Sequence, residues 1–434
     1  MPRPRKKAQR LEVYQNGRIV GRLERAVNGA ISFQYLASWL NEKSIPISMH
    51  LPLQEEAFRG KEVSDYFDNL LPDNDDIRER VASRVNAESH RTFDLLYAIG
   101  QDCVGALQFI PEGKEAPTES VPDGKILKEK EIAERLKYLG SFPLGLGPAN
   151  ADFRISIAGA QEKTALLKKN GKWYIPGGAT PTTHIFKPPM GIVHHGIDLT
   201  TSVENEWLCL EICRHLGLDV ANTEMADFEG QKCLIVERFD RRWESPRRLL
   251  RVAQEDICQA LGLPSTKKYQ ADGGPMIKTI MAFLDGADER SRDRSTFMRA
   301  QIAFFLLAAT DGHAKNFSIF LTETGFRLTP IYDVMSVFPA IQKRQLSKQK
   351  AKLAMSVGDS NHFKITEILG RHFAQTANAC GFPKKELDSI IEDLGVRVQK
   401  LESLIKPPKG YPSWILESIF SGAKEQMKRL SQPR

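Results

Sequence analysis

Ala309-Thr-Asp-Gly-His-Ala-Lys-Asn-Phe317, with Leu328-Thr-Pro-Ile-Tyr-Asp-Val334 a short way downstream, is the most chemically loaded part of the chain. Asp311 and Asn316 stand five positions apart, and Asp333 follows Asp311 by 22. Phosphoryl transfer needs a carboxylate to orient the attacking hydroxyl and accept its proton. It also needs an amide oxygen nearby to hold Mg²⁺ against the phosphates, and Asp-x4-Asn carries both on one loop. Asp333 offers a second carboxylate to the same metal, although no Phe-Gly follows it. The bland alternative is a solvated loop whose Asp311 and Asn316 cap backbone amides. Context favours the chemistry: the pattern predicts an apolar helix over Phe297–Ala309 before the loop. Between the loop and Asp333 it predicts a hairpin, Ser318–Leu321 and Phe326–Leu328 around Glu323–Gly325.

Upstream, Lys187 closes a strand-like run, His184-Ile-Phe-Lys, as a phosphate-binding lysine would. Lysines on edge strands are also ordinary protection against aggregation. Glu206 lies early on the helix predicted over Val203–Leu216. It is placed either to pair with Lys187 or to sit exposed in a first turn. Ile155-Ser-Ile-Ala-Gly-Ala-Gln-Glu-Lys163 is a small-residue loop whose amides can approach phosphates. Its Gly159–Thr164 tail is not a Walker A loop, because Glu162 stands where glycine must precede Lys-Thr. Cys209 and Cys213 share a helix face without a second pair at zinc spacing, which suits core packing better than a metal. His313 suits a phosphate contact or a structural hydrogen bond.

The rest of the chain supplies the frame. Leu11–Leu23 reads as a hairpin about Asn16-Gly17, Ile31–Leu36 as a strand, and Val63–Ile110 as helical, with a helix over Arg91–Ile99 stopped by Gly100. Pro111–Gly124 is rich in Pro, Gly, Glu and Ser. A helix near Lys128–Tyr138 and strands at Lys163–Leu167, Lys172–Ile175, His184–Lys187 and Cys233–Val236 follow. Beyond Asp240 one strand pair is expected within an otherwise helical run. The expected boundaries are an N-terminal subdomain at 1–112, a linker at 113–127, a strand-rich lobe at 128–240 and a helical lobe at 241–434. The pattern gives an α+β, two-lobed fold class.

Composition narrows the function classes without naming one. In 434 residues the chain has 41% hydrophobic and 26% charged residues, the balance of a globular protein. Its longest apolar run, Ala303–Thr310, is far below membrane-spanning length, and the basic N-terminus lacks the apolar stretch of a secretory signal. Six scattered cysteines point to reduced thiols in a cytoplasmic protein. A net charge of +7 is compatible with nucleic-acid or phosphate partners but specifies none.

Taken together, the motifs resemble the HipA family of bacterial toxin kinases. They are FRISIAGAQEKTALL (153–167), PTTHIFKPP (181–189), IVERFDRR (235–242), QEDICQALG (254–262), ATDGHAKNFS (309–318) and LTPIYDV (328–334). FDNLLPD (67–73) and IGQDCVGAL (99–107) match the family's N-terminal module. The resemblance implies a serine/threonine protein kinase that uses ATP and Mg²⁺ and is the toxin of a toxin–antitoxin pair. The fold it implies is like that of protein and lipid kinases, with an N-terminal α/β subdomain. It implies a small helix-turn-helix, HipB-like antitoxin as partner, operator DNA bound mainly through that antitoxin, glutamyl-tRNA synthetase as substrate, and growth arrest as outcome. It makes Asp311 catalytic, Asn316 and Asp333 the metal holders, and Ser156 a self-phosphorylated, inactivating site. The implied nucleotide site comprises Ala158, Gly159, Ala160, Gln161, Glu162, Lys163, Lys187, Glu237, Arg238, Phe239, Gln254, His313, Asn316, Tyr332 and Asp333, with Glu237–Phe239 as the hinge that meets adenine. Two other readings remain at this level: a DNA- and antitoxin-binding corepressor with a vestigial kinase site, and a small-molecule kinase.

Overall fold

Asn16 and Gly17 take φ values of 47° and 77°, the left-handed pair that a two-residue hairpin turn requires, and join strand Gln9–Gln15 to Arg18–Arg25. The computed structural model describes residues 8–40, 44–117, 121–146, 155–159, 161–193 and 196–432. The hairpin seeds a five-stranded antiparallel sheet in the order Phe58–Arg59, Ile31–Tyr35, Arg18–Arg25, Gln9–Gln15, Leu107–Pro111. Helices Lys61–Asp68, Asp75–Arg84 and Thr92–Ile99 accompany it. The helical reading of Val63–Ile110 therefore fails at its end. Leu107–Pro111 is a strand buried at every position, which erases the two-residue alternation that would have marked it.

A second sheet has six strands, ordered Thr223–Phe228, Gln231–Glu237, His184–Lys187, Thr164–Lys169, Lys172–Pro176, Gly124–Ile126. His184–Lys187 is internal, so an edge-strand role for Lys187 is excluded. Helix Ser202–His215 packs on this sheet and presents Glu206, 2% exposed, inward rather than to solvent. One continuous apolar cluster runs from Leu11 and Phe109 of the first sheet through Ile132 to Ala165 and Ile235 of the second.

The C-terminal half is built around helix Arg290–Leu307, packed by helices Lys384–Leu404 and Ser413–Leu430. Its last turns are buried on all sides, as an inner helix must be. Ala308 then turns left-handed at φ 47°, and the Ala309 amide donates back to the Phe304 carbonyl at 2.8 Å. That cap releases the chain into the Asp311 loop. More strands occur here than one pair. Arg241–Ser245 with Arg248–Arg251, and Lys352–Val357 with His362–Lys364, are extra hairpins, and Gln254–Asp256 pairs with Ser318–Leu321. The first of these hairpins is arginine-rich and mostly exposed along Arg241–Ser245, so it lacks an apolar pattern. Among the described residues no helix is long and apolar enough to cross a membrane.

Candidate active site

Strand His184–Lys187 aims a lysine into the space between the lobes, and helix Ser202–His215 meets it with a carboxylate. Lys187 Nζ lies 2.7 Å from Glu206 Oε1 and 2.9 Å from Asp333 Oδ1. Burial disfavours all three charges, but each ammonium and carboxylate supports the other. Burial alone would lower the Lys187 pKa, yet Asp333 and Glu206 raise it above the ordinary lysine value. Against partial desolvation, Asp333, whose side chain is 35% exposed, is held down to about 2 by Lys187 and Lys163. Glu206 is raised by burial, with Lys187 opposing. Asp333 also sits at φ 58°, a strained conformation for a non-glycine residue and one kept where surroundings demand it.

The Asp311 loop forms the opposite wall. The side-chain amide nitrogen of Asn316 donates to the Asp311 carbonyl at 2.6 Å, which leaves the amide oxygen for another partner. The Asp311 carboxylate is half exposed and its pKa is raised, by burial first and by Asp333 further, with the Tyr269 hydroxyl opposing. His313 is buried, its Nε2 3.8 Å from Asp311 Oδ1, and burial with Lys268 nearby lowers its pKa to about 4, so it is neutral. The Tyr332 hydroxyl donates to the Lys315 carbonyl at 2.7 Å and fixes the loop against the Asp333 segment.

These groups border a cleft of about 210 Å³ that also takes in Ala158, Gly159, Gln161, Lys163, Glu237, Arg238, Phe239 and Gln254. Lys163 Nζ donates to the Ala158 carbonyl at 2.7 Å, and its pKa falls to about 8 through burial and the proximity of Lys187. Gly159 sits at φ 103°, where a Cβ would come 2.6 Å from Lys163 Nζ, so only glycine leaves the lysine its place. Gln161 donates to the Pro188 carbonyl at 3.0 Å. The Arg238 guanidinium is committed elsewhere, to Asp240, Thr182 and the Cys103 carbonyl. Asp102 completes that buried group with Arg241 at 2.8 Å. Burial would raise the Asp102 pKa, and Arg241, Arg238 and Arg251 together lower it.

Two residues of the expected site, Glu162 and Ser156, stand apart from the cleft. The Glu162 carboxylate pairs with Arg80 outside the lining. Ser156, expected in a loop over the phosphates, is fully buried and donates to the Leu70 carbonyl at 2.7 Å. Ala160 lies outside the described residues, as do Arg154 and the basic Arg3, Arg5, Lys6 and Lys7. Cys209 and Cys213 are fully buried in the apolar core.

The N-terminal module contributes residues the motif reading had not assigned to the site. The Asp73 amide donates to the Gly159 carbonyl at 3.2 Å, and its carboxylate holds Lys268 at 2.8 Å. Asn69 and Asp256 hold Lys315 at 2.7 and 2.8 Å. The signal for Asn69 and Asp73 was present in FDNLLPD, where three polar residues, Asp68, Asn69 and Asp73, break up the apolar ones. Tyr269, whose hydroxyl donates to Asp311 Oδ1, gave no local signal.

Comparison with known proteins agrees with this architecture along nearly the whole chain. Residues 11–110 match the HipA N-terminal domain family, and residues 155–401 the HipA-like C-terminal domain family. Y4mE of Sinorhizobium fredii, whose name assigns it provisionally as a kinase, is 35% identical over 354 residues, 80% of each chain. The Shewanella oneidensis serine/threonine-protein kinase toxin HipA is 29% identical over 401 residues, 89% of this chain and 87% of that one. A chain of the Shewanella oneidensis toxin–antitoxin complex of HipA, HipB and operator DNA superposes with a TM-score of 0.78 at 25% identity, covering 96% of this chain and 97% of the other. Both domain families match in order and a 35%-identical relative aligns over four-fifths of its length: the chain belongs to the HipA family.

Proposed function

We propose that this chain is an ATP-dependent serine/threonine protein kinase acting as the toxin of a toxin–antitoxin pair. The observation that carries the reading is the convergence of Lys187, Glu206 and Asp333 within 2.9 Å, in one cleft with Asp311 and Asn316. A lysine held between two carboxylates and facing the cleft is placed to meet a polyanion such as the phosphates of a nucleotide.

In this reading Lys187 and Lys163 meet the ATP phosphates, and Glu206 keeps Lys187 in place. The Glu237 and Arg238 amides already donate to the Asn222 and Thr183 carbonyls, so the Phe239 amide is the hinge donor left for adenine. The donor set suits a hard divalent cation: the Asn316 amide oxygen, freed because its nitrogen is spent on Asp311, and the ionised Asp333 carboxylate. Mg²⁺ bound there would neutralise charge on the phosphates. Asp311 orients the acceptor hydroxyl and accepts its proton. His313, neutral beside it, can donate one hydrogen bond without adding charge.

The acceptor is a protein hydroxyl, with glutamyl-tRNA synthetase as the substrate the family resemblance supplies. The structural relative solved with HipB and operator DNA supports a small DNA-binding antitoxin as partner and a corepressor role through it. Self-phosphorylation at Ser156 is part of the same reading, and it requires the loop to leave its seat against Leu70. The test is incubation with γ-labelled ATP and lysate followed by identification of the labelled protein. Label on proteins supports the kinase; label confined to a small metabolite supports the small-molecule reading instead.

A further inference from the structure

Asp311 is the residue on which the proposed transfer turns, yet one oxygen of its half-exposed carboxylate is already engaged. The Tyr269 hydroxyl donates to Asp311 Oδ1, and among the described residues it is the one side chain within hydrogen-bond distance of that carboxylate. Its direction of approach is informative. Asp311, His313 and Lys268 border the nucleotide cleft, whereas Tyr269 stands outside the lining. It therefore contacts Asp311 without lining the nucleotide cleft, as an acceptor must if transfer is in line.

The contact is built rather than incidental. The Tyr269 ring meets the His313 ring edge-on at 4.7 Å. On one side Lys268 is tied to Asp73, and its carbonyl accepts the Ala314 amide at 3.1 Å. On the other, Gln270 exchanges two 2.8 Å hydrogen bonds with Ser356. The Tyr269 carbonyl accepts from Gly274 at 2.9 Å, and a Cβ on Gly274 would fall 2.6 Å from that carbonyl oxygen. With the backbone fixed at both ends, the hydroxyl leaves Asp311 only by side-chain rotation.

We propose that Tyr269 is a specificity-determining residue: its hydroxyl stands in for the acceptor on Asp311 until a protein hydroxyl displaces it, and so denies the position to water. The inference rests on the kinase reading and deepens it. In either reaction the acceptor O–H gives its proton to Asp311, the acceptor oxygen forms a bond to the γ-phosphorus, and the bond from that phosphorus to the β,γ-bridging oxygen breaks to release ADP. A protein hydroxyl yields a phosphoprotein and water yields inorganic phosphate. A docked protein segment holds its hydroxyl beside Asp311 and displaces Tyr269 at little cost, whereas a single water must compete with a tethered donor.

The test partitions γ-labelled phosphate between protein, either dephosphorylated casein or the chain itself, and inorganic phosphate. Wild type is compared with Tyr269→Phe, which keeps the ring against His313 and removes only the hydroxyl. The expected result is a release of inorganic phosphate raised about tenfold, the weight of one hydrogen bond to a charged group, with ATP affinity unchanged. The ratio of protein-bound to inorganic phosphate falls accordingly. An unchanged ratio, both rates falling together, or label on Tyr269 itself overturns the proposal while leaving the kinase intact. A folded wild type that binds Mg-ATP and moves no phosphate to either acceptor overturns the kinase reading and this one with it.

Discussion

Lys187 and Asp333 lie 146 residues apart in sequence and meet at 2.9 Å, one on an internal strand of the N-terminal lobe and the other on a left-handed residue of the C-terminal lobe. The ion pair crosses the cleft, so the lobes are linked through the groups proposed to handle the nucleotide. Anything that neutralises one partner changes both the fold and the site.

Lys187→Ala leaves Glu206 buried without its cation and is expected to destabilise the chain by about 3 kcal/mol. Glu206→Gln keeps the shape and leaves Lys187 its contact with Asp333. It is expected to melt close to wild type and to bind ATP about tenfold more weakly, because the lysine is no longer fixed. Calorimetric melting and binding titrations separate the two effects.

Asn316→Ala and Asp333→Ala are each expected to lower Mg-dependent ATP affinity at least about tenfold. Excess EDTA should stop phosphate transfer by wild type. Titrations with and without Mg²⁺ provide the check, and two variants that both bind Mg-ATP like wild type place the cation elsewhere.

Glu255 makes stability depend on pH. It is fully buried, accepts the Met49 amide at 2.8 Å, and burial raises its pKa from 4.5 to about 8. The folded chain therefore keeps a proton that the unfolded chain gives up. The stabilisation is fully present below the unfolded value of 4.5 and is lost as pH rises through about 8. Glu255→Gln cannot ionise, so from about pH 5 to about pH 8 wild type should lose a few degrees of melting temperature relative to it. A constant gap between the two melting curves contradicts a neutral buried acid.

Ser156 should acquire one phosphate when the chain is incubated with Mg-ATP, read by mass spectrometry, and the modified chain should bind ATP poorly. A phosphoserine carries roughly −1.5 to −2 charges and three acceptor oxygens, which the fully buried seat beside the Leu70 carbonyl cannot take. The loop must therefore leave, and Gly159 and Lys163 leave the cleft wall with it. Undiminished ATP affinity in fully phosphorylated protein rules out the switch.

Local signals carried the parts of this structure that local physics decides. Asn16-Gly17 specified a hairpin and Ser318–Leu328 another, whereas the strand-then-helix order left Glu206 either paired with Lys187 or exposed, and the 2.7 Å contact decides for the pair. Strands were missed where their pattern is muted. Leu107–Pro111 is buried on both faces, Thr223–Phe228 is half-exposed with little alternation, and Arg241–Ser245 is mostly polar and exposed, with Trp243 its one apolar side chain. Contacts that depend on distant segments left no trace in spacing. Tyr269 reaches Asp311 across 42 residues, and Asp102 reaches Arg241 across 139. Ser156 shows the converse. Its motif was recognisable, but only tertiary packing reveals that its hydroxyl is spent on Leu70.

In the proposed transfer Asp311 takes the proton of the acceptor hydroxyl, and one substitution isolates that step. Asp311→Asn preserves volume, and the Asp311 carbonyl stays available to Asn316. With γ-labelled ATP, the folded variant is expected to bind Mg-ATP like wild type and to label protein about a thousandfold more slowly. Labelling at the wild-type rate by folded Asp311→Asn would contradict it.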